Sequence, residues 1–170
     1  VTAFEAMTDA RAEWVDFNND NYLDLFVSGT NNGGTFKVVV YFNNGDDTFS
    51  ALTIANLDDV AYDFGDYNHD SYIDILLSGV DSGGNKYFTV YKNNSGTSFT
   101  AQPFGLSGFS RGGAKWYDVD QDGDLDILSM GLNTSNQRVV AFYEYSAGSY
   151  QTLLMLPSHI LVHESVADVV

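Results

Sequence analysis

One acidic pattern recurs three times in this chain and constrains its fold more than any other feature. The windows are DFNNDNYLDLFVSG from Asp16, DYNHDSYIDILLSG from Asp66 and DVDQDGDLDILSMG from Asp118. The anchors stand 50 and 52 residues apart. A glycine follows each by thirteen residues (Gly29, Gly79, Gly131), and a tyrosine follows each by twenty-five (Tyr41, Tyr91, Tyr143). An aromatic precedes each by two (Trp14, Phe64, Trp116). Each repeat then carries a Gly-containing turn and a further aromatic, in NNGDDTF (43–49), NNSGTSF (93–99) and SAGSY (146–150). A period near 50 residues marks an array of supersecondary units.

Within a repeat the apolar runs are short, rich in Val, Ile, Tyr and Phe, and bounded by turn residues. In the second repeat they predict strands near 59–65, 72–79, 86–93 and 97–102. SGG (82–84) and NNGG (31–34) read as hairpin connections. Four antiparallel strands in about 50 residues, repeated in tandem, predict an all-β chain of three consecutive four-stranded antiparallel β-propeller blades. The competing architecture is a β-sandwich. The blades are expected over 8–55, 56–107 and 108–158, in a single repeat array over 1–170, with 1–7 and 159–170 as partial strands of adjoining blades. ADVV (167–170) matches the four residues that precede an anchor, as in AEWV (12–15) and AKWY (114–117). Three repeats do not close a ring, so the array is expected to be part of a larger propeller or a partial propeller that associates. The expected partner is the rest of a propeller or another copy of the chain.

The chain has 23 Asp plus Glu against 7 Lys plus Arg, a formal net charge of −16. That balance excludes nucleic acid as a partner, because little here could neutralise phosphates. It also argues against anionic membrane surfaces, and no apolar run approaches the roughly 18 residues of a membrane span. There is no cysteine and hence no disulfide. The acids are concentrated: the three windows hold Asp at positions 16, 20, 24, 66, 70, 74, 118, 120, 122, 124 and 126. Short, stiff Asp suits tight loops around a hard cation.

Oxygen donors alternate through each window. They are Asp16, Asn18, Asp20 and Asp24 in the first, Asp66, Asn68, Asp70 and Asp74 in the second, and Asp118, Asp120, Asp122 and Asp126 in the third. These are positions one, three, five and nine. Position seven (Tyr22, Tyr72, Asp124) would offer its backbone carbonyl, which frees its side chain to vary. Calcium takes about six to eight oxygens, so each window predicts one Ca2+ site, three in all. The absence of His and Cys from the donor positions disfavours zinc and copper. Magnesium, with its stricter octahedral demand, ranks second. The loops are not EF-hands, because position twelve holds Val27, Leu77 and Ser129 in place of the bidentate Glu. His69 falls at an even position and reads as a solvent-facing loop residue. Position six favours positive φ, which Gly123 satisfies best, Asn21 fairly and Ser71 poorly. The expected order of affinity is third loop, first, second.

The motifs DVDQDGDLDILSMG, its two relatives, VYFNNGDDTF (40–49) and VYKNNSGTSF (90–99) together resemble the FG-GAP/VCBS repeat family. These are the calcium-loop blades of integrin α-subunit propellers and many secreted bacterial proteins. The resemblance covers nearly the whole chain. It places the family's calcium ligands on the positions above and implies that the ion stabilises each blade. Phe64–Gly65 keeps part of the family's name tag and no Gly-Ala-Pro occurs, which points to the bacterial branch. The implied function is a non-enzymatic, secreted or cell-surface scaffold for adhesion or recognition, with a protein or glycan as ligand. A lectin-like propeller is the alternative, and a non-catalytic propeller attached to a polysaccharide-active enzyme the second. Ligand would meet the connections opposite the acidic loops, GTNNGGT (29–35), VDSGGNK (80–86), GLNTSNQ (131–137) and FGLSGFSRGGA (104–114). In the last, an exposed Phe109 beside Arg111 could stack on a sugar or grip a carboxylate. His159 and His163 have no partnered nucleophile and read as structural.

Overall fold

A computed structural model describes residues 4–157, with side chains to 153. The expectations for 159–170, including ADVV, His159 and His163, lie outside the described residues, as does the start of the 1–7 segment. Twelve strands form three four-stranded antiparallel sheets. The first holds β1 (Met7–Val15), β2 (Asp24–Asn31), β3 (Phe36–Asn43) and β4 (Phe49–Ala55). The second holds β5 (Asp58–Gly65), β6 (Asp74–Val80), β7 (Lys86–Asn93) and β8 (Phe99–Ala101). The third holds β9 (Ser110–Tyr117), β10 (Asp126–Leu132), β11 (Arg138–Ser146) and β12 (Ser149–Pro157). Each sheet is a meander in chain order. These are three consecutive propeller blades, and they do not close a ring.

Several expectations shift at strand ends, and the fourth strand of the middle blade shortens to Phe99–Ala101. The second strand of the middle blade begins at Asp74, not at residue 72, because the acidic loop continues to position nine. Met7 belongs to β1, where it pairs with Asn31, while residues 4–6 carry no strand. Phe4 instead packs edge-on against Tyr41, at 5.1 Å between ring centroids, and Glu5 N–H donates to the Tyr41 hydroxyl at 3.1 Å.

The first strand of every blade is interrupted at one offset. Register shifts fall between Thr8 and Arg11, between Asp58 and Ala61, and opposite Met130–Leu132. The residues seven before the anchors, Asp9, Asp59 and Arg111, sit at φ of 50°, 50° and 51°. Each is a bulge that bends its strand over the next one. The glycine thirteen after the anchor is explained there. A Cβ on Gly29 would lie 2.9 Å from the Thr8 carbonyl, one on Gly79 2.9 Å from the Asp58 carbonyl, and one on Gly131 2.7 Å from the Ser110 carbonyl. Only glycine allows the bulge to press so close.

The core lies between blades. Phe17 and Phe26 of blade 1 meet Phe64 and Tyr62 of blade 2 at 5.5 and 4.6 Å between centroids. Tyr67 of blade 2 stacks on Trp116 of blade 3 at 6.2 Å, and Phe88 meets Phe109 at 4.9 Å. Strand β6 is buried on both faces, as a strand between two layers must be. Its Ile75 and Leu77 join the cluster with blade 1, and its Leu76 joins the cluster with blade 3.

The hairpin tips opposite the acidic loops share one device. Asn31, Asp81 and Asn133 each accept two backbone N–H groups on one side-chain oxygen, from Gly33 and Thr35, Gly83 and Asn85, and Ser135 and Gln137. These Asx turns hold the tips without core contacts.

Candidate metal centre

Each acidic window forms the loop between the first two strands of a blade. The side chains that alternate in sequence fold back on the loop's own backbone. Position one accepts the N–H of position six on Oδ2: Asp16 from Asn21 at 3.0 Å, Asp66 from Ser71 at 2.8 Å, Asp118 from Gly123 at 3.1 Å. Position three accepts the N–H of position five, at Asn18, Asn68 and Asp120. Position five accepts the N–H of position seven, so Asp20, Asp70 and Asp122 take Tyr22, Tyr72 and Asp124. Tyr22 and Asp124 otherwise point outward: the Tyr22 ring covers Gly45, and Asp124 meets His69. The backbone turns through positive φ twice. Position six does so at Asn21, Ser71 and Gly123, as the sequence implies, and position four at Asn19, His69 and Gln121.

Position nine has a separate task. Asp24, Asp74 and Asp126 are buried, and each bridges two backbone segments with its two oxygens. Oδ2 accepts the N–H that follows the anchor, from Phe17, Tyr67 or Val119. Oδ1 accepts an N–H from the third strand, from Asn43 at 2.8 Å, Asn93 at 2.7 Å or Tyr145 at 3.0 Å. Burial pushes the Asp74 carboxyl up to about 7, against the opposing pull of those two N–H groups, with Asp70 and Asp66 adding repulsion. Asp24 is raised in the same way, burial first.

The three loops differ in how far they satisfy themselves. In the second, both oxygens of Asp66 accept backbone N–H groups, Oδ1 from Asp70 at 3.0 Å. The Asn68 amide donates to Asp70 at 3.1 Å, and Lys92 lies 3.5 Å from the same oxygen. The first loop has the matching amide contact, Asn18 to Asp20 at 2.9 Å, but Asp16 Oδ1 is buried without a hydrogen-bond partner. In the third loop Asp118 Oδ1 is likewise buried and unpartnered. There Asp120 replaces the amide, and carboxylate oxygens of Asp118, Asp120 and Asp122 lie within 4.8 Å of one another. Three like charges so close repel unless a cation or protons intervene. A buried, unpaired carboxylate oxygen carries a desolvation penalty that coordination to a hard cation removes. The all-oxygen donor set fits calcium, and the first and third loops fit it better than the second.

Other residues of the loops make contacts that sequence reasoning did not assign. Position four links neighbouring loops: Asn19 donates to the Ser71 carbonyl at 2.8 Å, and His69 Nε2 meets Asp124 Oδ1 at 3.1 Å. His69 is thus exposed, as read from the sequence, but it is not idle. Asn93 donates its side-chain amide to the carbonyls of Ile73, at 3.0 Å, and of Phe17 in the preceding blade, at 2.8 Å. The paired Asn at 43 and 93 was the visible signal for that role.

At the opposite end, the expectation of an exposed Phe109 is corrected. Its ring is 2% exposed, because it fills the interface against Phe88 and takes no part in a surface platform. Arg111 is exposed, and its backbone N–H donates to Asp59 Oδ2 at 2.6 Å.

The sequence profile of the FG-GAP-like repeat matches residues 16–77 and again 66–129, each match opening on the first Asp of a loop. Nothing among curated proteins or solved structures matches the chain. With loops, strands and offsets all in register over two overlapping matches, this chain belongs to the FG-GAP-like repeat family.

Proposed function

We propose that the chain is a calcium-binding propeller module of a secreted or cell-surface protein, a scaffold for adhesion or recognition in which calcium stabilises each blade. The observation that carries the calcium reading is the pair of buried, unpartnered oxygens, Asp16 Oδ1 and Asp118 Oδ1, each beside further oxygen donors. The ligand set is Asp16, Asn18, Asp20, Tyr22 (carbonyl) and Asp24, with Asp66, Asn68, Asp70, Tyr72 (carbonyl) and Asp74, and Asp118, Asp120, Asp122, Asp124 (carbonyl) and Asp126. Position nine joins the set through lone pairs that its backbone contacts leave free. Extracellular calcium is plentiful enough for exposed loops of modest affinity. No helix among the described residues is long and apolar enough to cross a membrane.

Thermal melting with calcium and with chelator tests this reading. Calcium that binds only the folded state, at a hundredfold excess over Kd, raises the midpoint by about 5–10 °C for a chain of this size. Equal midpoints in calcium and chelator overturn it. Phe109 is buried and cannot serve as a sugar-stacking platform.

A further inference from the structure

One inner face of blade 3 is hollow where the matching faces of blades 1 and 2 carry bulk. Position twelve of each window lies on the second strand of its blade, directly opposite a residue of the third. The pairs are Val27 with Val39, Leu77 with Thr89 and Ser129 with Ala141. Leu77 packs back towards blade 1. Its counterpart Ser129 sits two residues beyond Ile127, which packs back towards blade 2. Ser129 and Ala141 are the smallest of the three pairs, and both are buried. A cavity of about 270 Å³ lies there, between β10–β11 and Ser107–Phe109 of the connection from blade 2. Pro103 has no N–H with which to extend β8, so residues 102–109 join these blades, against 56–57 at the first junction.

The walls of this cavity select by chemistry. No charged side chain lines it, although the chain is strongly acidic. Phe109, Val139 and Ala141 make it largely apolar, and two buried hydroxyl side chains, Ser129 and Tyr143, complete it. The Tyr143 hydroxyl accepts the Ser107 N–H at 3.3 Å, and no acceptor among the described residues takes its own proton. Ser129 reaches only the Ala141 carbonyl, at a long 3.5 Å. A buried donor without an acceptor costs free energy, which an occupant bearing one acceptor recovers. A charged occupant would lose its hydration with nothing to replace it, and a sugar carries more hydroxyls than these two groups can satisfy. An aromatic ring suits the rings of Phe109 and Tyr143. About 150 Å³ of apolar cavity is enough for benzene, so this one admits a single ring with a substituent.

We propose that the cavity between blade 3 and the connection entering it binds a small uncharged molecule, one aromatic ring bearing a hydroxyl, of the phenol class. The ring packs on Phe109 and Val139, and its oxygen accepts the Tyr143 proton. The site rests on the junction of blades 2 and 3 and not on calcium. It is tested in saturating calcium, where its outcomes are separate from the metal-binding result.

Ligand-observed NMR of the whole chain with p-cresol is expected to show saturable binding, with Kd on the order of 1 mM. Benzoate and N-acetylglucosamine are expected to give none. Ser129→Leu restores the residue of blade 2 and fills the cavity, so it abolishes p-cresol binding while circular dichroism and calcium melting are retained. Ala141→Val, the residue of blade 1, weakens binding at least about tenfold and carries the same test if leucine disturbs the fold. Tyr143→Phe weakens p-cresol at least about threefold and leaves toluene binding unchanged. Wild-type protein that binds no p-cresol at about 10 mM overturns the proposal. So does p-cresol binding indifferent to both Ser129→Leu and Ala141→Val, or benzoate or N-acetylglucosamine binding as tightly as p-cresol.

Discussion

The backbone N–H of Asn93 donates to Asp74 Oδ1 at 2.7 Å, and the Asn93 side chain reaches on to the Phe17 carbonyl of the preceding blade at 2.8 Å. One residue thereby ties an acidic loop, its own third strand and a neighbouring loop. Asn93 is fully buried, so its removal leaves carbonyls without donors in the interior. Asn93→Ala is expected to cost about 2–3 kcal/mol in urea unfolding, whereas Asn43→Ala, whose NH2 group donates only one longer bond, to the Leu23 carbonyl, costs about 1 kcal/mol. Equal costs would remove the role given to the contact between blades.

The calcium sites are expected to separate by position one. Asp118→Asn should weaken the tightest site at least about tenfold in calorimetric titration, because it neutralises the unpartnered oxygen of the most acidic loop. Asp66→Asn should change calcium binding least, since both Asp66 oxygens already hold backbone N–H groups. Identical losses in the two variants would contradict the order third, first, second.

The bulge contacts set a glycine test. Gly131→Ala places a Cβ 2.7 Å from both the Ser110 carbonyl and the Phe109 ring, and is expected to cost about 1–3 kcal/mol. Gly113→Ala, one strand away, meets nothing within 4 Å and should stay within about 0.5 kcal/mol of wild type. Thermal unfolding of the pair in calcium checks both.

Without calcium, stability should fall as pH rises through neutrality. Asp74 is raised to about 7 in the folded chain, against about 3.9 when unfolded. Between those values the folded state holds the extra proton, so the contribution is fully present below about pH 4 and is lost as pH rises through about 7. Asp24 adds the same sign. Melting in chelator from pH 5 to 8 should show a declining midpoint. Calcium should flatten the decline, because the ion takes the proton's place. A midpoint that rises over that range in chelator would refute the assignment.

The strands and loops were legible because each repeat restates them locally: the donors at odd positions, the glycine at thirteen and the tyrosine at twenty-five all lie within one unit. What was not legible depends on contacts between strands far apart in sequence, within a unit or across two. Nothing in the composition of Asp9, Asp59 and Arg111 marks a left-handed bulge, since none is glycine and the strain is held by the neighbouring strand. Phe109 lies in a Gly- and Ser-rich connection that reads as surface, and Phe88, from the previous blade, meets it in the interior. The buried bridge made by position nine was hidden for the same reason, as its second partner comes nineteen residues later.

The side chains at position four run in one direction along the array, Asn19 to Ser71 and His69 to Asp124. The array behaves as a one-dimensional lattice in which each unit's opening is weighted by its neighbours. Blade 2, packed against blade 1 on one face and blade 3 on the other, is expected to hold its amide hydrogens against exchange longer than an isolated blade would, although the three units are built to nearly the same pattern.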